Sequence, residues 1–480
     1  MYDKNKIATF NQLLAIDRPI GKIGVLLIVI IAGTITGLSI YIELYLYVLP
    51  ALIAMPLIYL LLVRPRIWLY AVAASTAIFF HAGDEGVGAL DVMLGMFYIG
   101  SIAVYFVRKG LILKEKIILN WGDWAILTFY TLLLFNFFIA YFNDVPPMNW
   151  VREYLLVSIL LIYFPVRDAL KNENDVNAFL FFLGVIIIFA GIYQVIEYYN
   201  KVNTDLVYAY QLKSSITINQ TLYTAASIYG FILAFSQRNR VREIIVIAMT
   251  SLYVVFLVST FSRTFWLVLA LAILLMFFLL PAKMKVRFLT YLGVITVVLL
   301  FATFLFMRDK ADIALEVAFS RLESSSAGRK DPSLIARFKE WEKVEYHIRQ
   351  NPLGGNGLTK TFSFHFPINS RARHTHIIHN GYYWLLYRTG IPMTLLFLFF
   401  LGFYTVKSGK LLKYSKDPTH RALLIAALSV LLSLYIVNTT SSQYFYRDGI
   451  FVTALSIAFI GVAERLINKK QLADEVKNGI

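Results

Sequence analysis

The chain has 480 residues, 59% of them hydrophobic and only 15% charged, whereas soluble globular domains run about 45–50% apolar and about 25% charged. That balance excludes a soluble enzyme, and apolar runs of about 20 residues, in place of the roughly ten-residue alternating segments of barrel strands, exclude a membrane β-barrel. Cysteine is absent, so disulfides, thiolate nucleophiles and thiolate metal sites are excluded as well. The net charge of +16 is read by where it falls along the chain.

Apolar runs bounded by charged and turn residues predict helices near 20–41, 44–63, 67–80, 88–107, 121–142, 151–166, 178–199, 219–235, 243–261, 264–280, 287–307, 380–406, 421–438 and 448–466. The runs at 67–80 and 151–166 are short for a span, so the expected fold is an all-α polytopic membrane protein with about 12–14 transmembrane helices. The first 20 residues are polar and mixed, so no cleavable signal peptide is expected. With a cytoplasmic N-terminus, the cytoplasmic segments collect 27 of the 45 Lys and Arg. The short loops 81–87 and 143–150 on the other face carry none, and 200–218 carries only Lys201 and Lys213. The asymmetry repeats loop after loop and puts both termini in the cytoplasm. Three regions follow: spans over 1–307, a long external loop over 308–379, and C-terminal spans with a tail over 380–480.

The long loop holds 12 Lys or Arg against 8 Asp or Glu, and loops of that length translocate regardless of charge. Asp331-Pro332 reads as a helix start and Asn351-Pro352 as a stop. Between them Leu334, Phe338, Trp341 and Ile348 form one helical stripe, with Arg337 at its border and Lys339 and Lys343 facing water. Arg337 is either a snorkelling cover for that stripe or a ligand-binding group. Pro352-Leu353-Gly354-Gly355-Asn356-Gly357 must be a turn.

Arg263 is the one charged residue between Ile244 and Leu280. About 37 residues would make a helix of roughly 55 Å against about 30 Å of hydrocarbon. The chain therefore turns, and Ser262-Arg263 is the place. A guanidinium at that external boundary needs an anion, either a lipid headgroup phosphate or a substrate. Arg371-Ala372-Arg373-His374-Thr375-His376-Ile377-Ile378-His379-Asn380 brings three of the seven histidines together. Arginines beside them repel a cation, so phosphate binding with a histidine base suits the run better than a metal. Arg371 and Arg373 are candidates for further phosphate contacts or plain solvated charges.

Taken in order, Ser262-Arg263, Ala336-Arg337-Phe338-x-x-Trp341, Asn351-Pro352-Leu353-Gly354-Gly355-Asn356-Gly357 and His379-Asn380-Gly381-Tyr382, running through Leu385-Leu386 to Thr389-Gly390-Ile391, resemble the O-antigen ligase and polymerase superfamily of bacterial surface-glycan assembly. The resemblance covers roughly residues 215–405. It implies a glycosyltransferase of the bacterial inner membrane, needing no metal or other cofactor and acting at the periplasmic face on a glycan carried by undecaprenyl diphosphate. The reading it favours is ligation of O-antigen to lipid A core in lipopolysaccharide biosynthesis. Polymerisation of the lipid-linked glycan is the alternative, and a lipid-linked oligosaccharide transporter is more remote, because the ionisable residues of interest gather at one face. The resemblance makes Arg263 and Arg337 diphosphate-binding residues and His379 the base. Arg371, Arg373, His376, Asn380 and Arg388 complete the expected substrate-binding set. Arg388 is a departure, since the family's usual residue two before the Gly of Thr389-Gly390 is Glu.

Overall fold

The computed structural model describes residues 65–78, 89–204, 219–237, 239–260, 262–306, 332–365 and 372–477. The expected helices at 20–41 and 44–63 lie outside the described residues, as does Arg371. The remaining expected helices are found as α1 Pro65–Ile78, α2 Ala89–Phe106, α3 Trp121–Phe142, α4 Pro147–Ser158, α5 Tyr163–Ala169, α6 Glu173–Thr204, α7 Gln220–Ser236, α8 Arg240–Ser259, α9 Arg263–Leu279 and α10 Ala282–Phe306. The loop region contributes α11 Pro332–Gln350 and a hairpin of β1 Phe362–His365 and β2 Ala372–Thr375, and the chain continues through α12 Gly381–Tyr414, α13 Pro418–Val437 and α14 Arg447–Lys477. The run expected at 151–166 is α4 and α5 joined by a 3-10 turn at Ile159–Ile162, one nearly continuous rod.

Seven of the described helical stretches are long and apolar enough to cross a membrane, and Arg263–Leu279 is a shorter apolar helix. The protein is therefore an all-α polytopic membrane protein. The chain turns at Ser262 as the length argument requires, with Arg263 opening α9. The antiparallel hairpin, with Phe362 opposite Thr375 and His365 opposite Ala372, is not foreseen by the sequence reading, which expected only helices in the loop. Four-residue strands carry too short a pattern to separate from turn.

The core runs along α14, most of whose span is buried, against α7, α13 and the rod of α4 and α5. At one end of the bundle a buried charge cluster ties three helices together. Arg167 Nη1 of α5 lies 2.6 Å from Asp123 Oδ2 of α3, and the Arg167 Nη2 donates to the Ile117 carbonyl at 2.8 Å. The Tyr163 hydroxyl donates to Asp123 Oδ1 at 2.6 Å, and Tyr404 of α12 donates to the same oxygen. Removing one partner of such a pair strands a buried charge. Buried charge thus sits at this end too, which corrects the expectation that ionisable residues of interest gather at a single face.

Candidate active site at the loop end of the bundle

The opposite end of α3 and α12 carries the loop, and it is organised by a break in α12. Pro392 has no N–H, so the Arg388 carbonyl four residues earlier loses its helical partner. Gly390 adopts φ 76° and ψ 176°, a backbone state open to glycine and strained for other residues. The motif Asn351 to Gly357 occupies the gap. Gly357 N–H donates to the Arg388 carbonyl at 3.1 Å and Asn356 N–H to the Tyr387 carbonyl at 2.8 Å. The Ile391 N–H turns outward to the Pro352 carbonyl at 2.8 Å. Buried Asn136 of α3 completes the latch, donating to the Arg388 carbonyl at 2.9 Å and accepting from Leu358 N–H at 2.9 Å. A Cβ on Gly355 would lie 2.6 Å from the Arg388 carbonyl carbon, and one on Gly390 2.1 Å from the Leu353 oxygen. Gly355 and Gly390 are therefore demanded by close backbone approach.

This latch sets α11 against the start of α12. Glu340, only 3% exposed, accepts twice from His379: from its backbone N–H at 2.6 Å and from ring Nδ1 at 2.8 Å. A carboxylate can only accept, so the geometry assigns the ring proton to Nδ1 and leaves the Nε2 lone pair for chemistry. The His379 side chain is 39% exposed. One edge of the ring is anchored and the other is open.

The sequence reading missed Glu340 as a site residue, and its placement of the helical stripe is corrected. Of the expected stripe, Phe338 is exposed and Leu334, Trp341 and Ile348 are only half-buried, while Ala336, Glu340 and Val344 form the buried line. The small Ala336 side chain lets α11 approach α12, and Glu340 is tolerated inside because His379 satisfies it. An acidic residue four from Ala336 and four from Val344 was the available signal. Lys339 is exposed as expected, but Lys343 is half-buried, with its Nζ 4.8 Å from the Tyr346 ring centroid.

The other candidates separate. Asn380 caps α12, accepting from Tyr382 N–H at 2.9 Å and Tyr383 N–H at 3.0 Å and donating to the Thr439 carbonyl at 3.1 Å. In the structure Asn380 therefore serves as the cap of α12. Gly381 donates to the Asn438 carbonyl at 2.8 Å and leaves no room for a Cβ against Asn438. Arg388 is fully buried. It donates to the His376 carbonyl, approaches Glu153 of α4 at 3.6 Å and stacks 4.7 Å from the Trp384 ring centroid. Buried in this way, Arg388 braces the segment that carries His379. His376 is exposed, and His374 pairs with Ser363 across the hairpin, Nδ1 to Oγ 2.6 Å. Arg373 stands in β2.

Arg337 lies one turn before Glu340 on α11 and is half-buried. Half-buried Arg263 joins the same end through its neighbour: Thr440 donates to Thr264 at 3.2 Å, and Thr439 beside it holds Asn380. The described residues thus bring Arg263, Arg337 and His379 to one end of the bundle. His347, further along α11, has its pKa lowered, by burial first and by nearby Lys343 second.

These elements define a membrane-embedded helical bundle with an anchored histidine at its loop end, one arginine opening α9 and another in the second turn of α11. A family model described as O-antigen ligase matches residues 246–398, a segment running from α8 into α12 and containing Arg263, Arg337, Glu340 and His379. That match covers about a third of the chain and supports the resemblance to the O-antigen ligase and polymerase superfamily carried by the motifs. No curated protein sequence matches the chain.

Proposed function

We propose that the protein is a glycosyltransferase that moves a glycan from undecaprenyl diphosphate to an acceptor hydroxyl, with His379 as the base and Arg263 and Arg337 holding the diphosphate. The observation that carries this reading is the double hydrogen bond from His379 to Glu340, because it leaves Nε2 as the one ring nitrogen able to take a proton. The acceptor oxygen attacks the anomeric carbon as its proton passes to Nε2. The bond to the diphosphate oxygen breaks, and its charge develops between the arginines. Fixed guanidinium groups stabilise such charge where water is scarce, without a divalent ion. A base so placed contributes about 10²–10⁴-fold. A single displacement inverts the anomeric centre.

The charge distribution supports a bacterial inner-membrane location with cytoplasmic termini and a periplasmic site, and ligation to lipid A core is the favoured acceptor chemistry. The test uses purified protein with a lipid-linked glycan, with and without a lipid A core acceptor. Core-dependent product that persists in EDTA and vanishes in His379→Ala supports the proposal. Lengthening lipid-linked ladders without core acceptor establish a polymerase instead, and recovery only on adding Zn²⁺ or Mg²⁺ overturns the arginine-based mechanism.

A further inference from the structure

The end of the bundle opposite His379 holds a cavity of about 710 Å³ between α1, the segment after α2, α5 and α14. Its walls carry six cations, Arg66, Arg108, Lys109, Lys116, Lys171 and Arg465, against two acids, Glu115 and Asp168. Part of that charge is engaged. Lys109 pairs with Asp168, Arg465 approaches Asp168 at 3.5 Å, and Arg66 lies 3.0 Å from Asp175. The excess remains strongly positive, and Lys116 and Lys171 are exposed. One wall is tied to the buried Asp123 cluster, because Arg167 pairs with Asp123 and its Nε lies 3.3 Å from Asp168.

Two further observations say what such a cavity holds. Apolar side chains lining it, Ile67, Leu113 and Leu119, are exposed, which suits hydrocarbon and disfavours a small hydrophilic anion. Trp121 and Trp124, at the first turn of the neighbouring span α3, are also exposed. Tryptophans at a span's end mark the depth of the headgroups. A basic hollow between helices at that depth is the recognised setting for an acidic lipid headgroup. We propose that this cavity binds the phosphate of an anionic phospholipid, with Lys116 and Lys171 at its mouth and the acyl chains along Ile67, Leu113 and Leu119. The site is separate from the proposed transfer chemistry and does not depend on it.

Native mass spectrometry of the detergent-purified full chain, titrated with phosphatidylglycerol, phosphatidylcholine or inorganic phosphate, tests the proposal. Wild type is expected to retain phosphatidylglycerol in preference to phosphatidylcholine. The Lys116→Ala/Lys171→Ala variant should bind it about 30-fold more weakly, from the usual worth of two surface cations near acidic lipid. The control Arg242→Ala/Lys283→Ala removes the same charge from exposed positions elsewhere at this end of the bundle and should bind as wild type does. Equal loss in both variants means only general surface potential and overturns the proposal. So do no loss in the first variant, equal retention of phosphatidylcholine, and retention of inorganic phosphate in place of lipid. Both variants alter exposed side chains, and matching melting temperatures confirm that folding is unchanged.

Discussion

Glu340 and His379, 39 residues apart in sequence, are joined by two hydrogen bonds to the two oxygens of one buried carboxylate. The pair fixes both the backbone at the start of α12 and the tautomer of the ring. Glu340→Gln tests the second effect. A glutamine keeps one acceptor but turns a donor toward Nδ1, favouring the tautomer with its proton on Nε2. The turnover rate should fall by about 10²-fold or more with little change in the donor KM, as for other histidine bases that lose their orienting carboxylate. A loss expressed only as a lower melting temperature would reduce Glu340 to a packing role.

Gly355 and Gly354 are neighbours with different tolerances. An added Cβ at Gly355 meets backbone atoms of Arg388 and Gly390 at φ +71°, whereas at Gly354 it comes to 3.0 Å from the terminal methyl of Ile139, which can move. Gly355→Ala should cost at least about 1–2 kcal/mol from the left-handed backbone alone, and Gly354→Ala should be near neutral. Thermal unfolding of the two variants side by side checks the order.

Arg388 tests the distinction between bracing and substrate binding. Arg388→Ala leaves Glu153 without its buried partner and should destabilise by about 3–5 kcal/mol, while Arg388→Met with Glu153→Leu, which removes both charges, should lose much less. If the double variant is stable yet its donor KM rises sharply, Arg388 contacts substrate after all.

At Arg263 the question is geometry against charge. Guanidinium presents a planar fork to two phosphate oxygens, and ammonium is a point charge. Arg263→Lys should therefore recover no more than about a tenth of wild-type transfer, close to Arg263→Ala. Full activity in the lysine variant would favour simple pairing with a lipid headgroup.

His347 gives the loop a pH dependence. Its pKa is lowered in the fold by burial and Lys343, so the unfolded chain binds the proton more readily and stability rises with pH across the window below the ordinary histidine value. Acidification from neutral through about 6.5 and below should loosen α11. Hydrogen exchange in α11 should rise in wild type and change less in His347→Gln. Equal acid sensitivity in both would assign the effect to another group.

The helices were legible in the chain because each is a local pattern. Trp121–Phe142 stands where the apolar run predicts it, α11 begins at Pro332 and ends before Asn351, and the break at Ser262-Arg263 follows from length alone. The positions of Arg263, Arg337 and His379 at one end of the bundle also follow from alternating spans. What each polar side chain does there was decided only by tertiary structure. Asn380 and Arg388 carry the same donors whether they bind substrate or fold, and Glu340 looks like a solvated acid on an amphipathic helix. Their partners, Thr439, Glu153 and His379, lie 39 to 235 residues away in sequence. Periodicity reports which face of a helix is apolar, but the partner that satisfies a buried charge is set by packing between helices, and no local pattern encodes it.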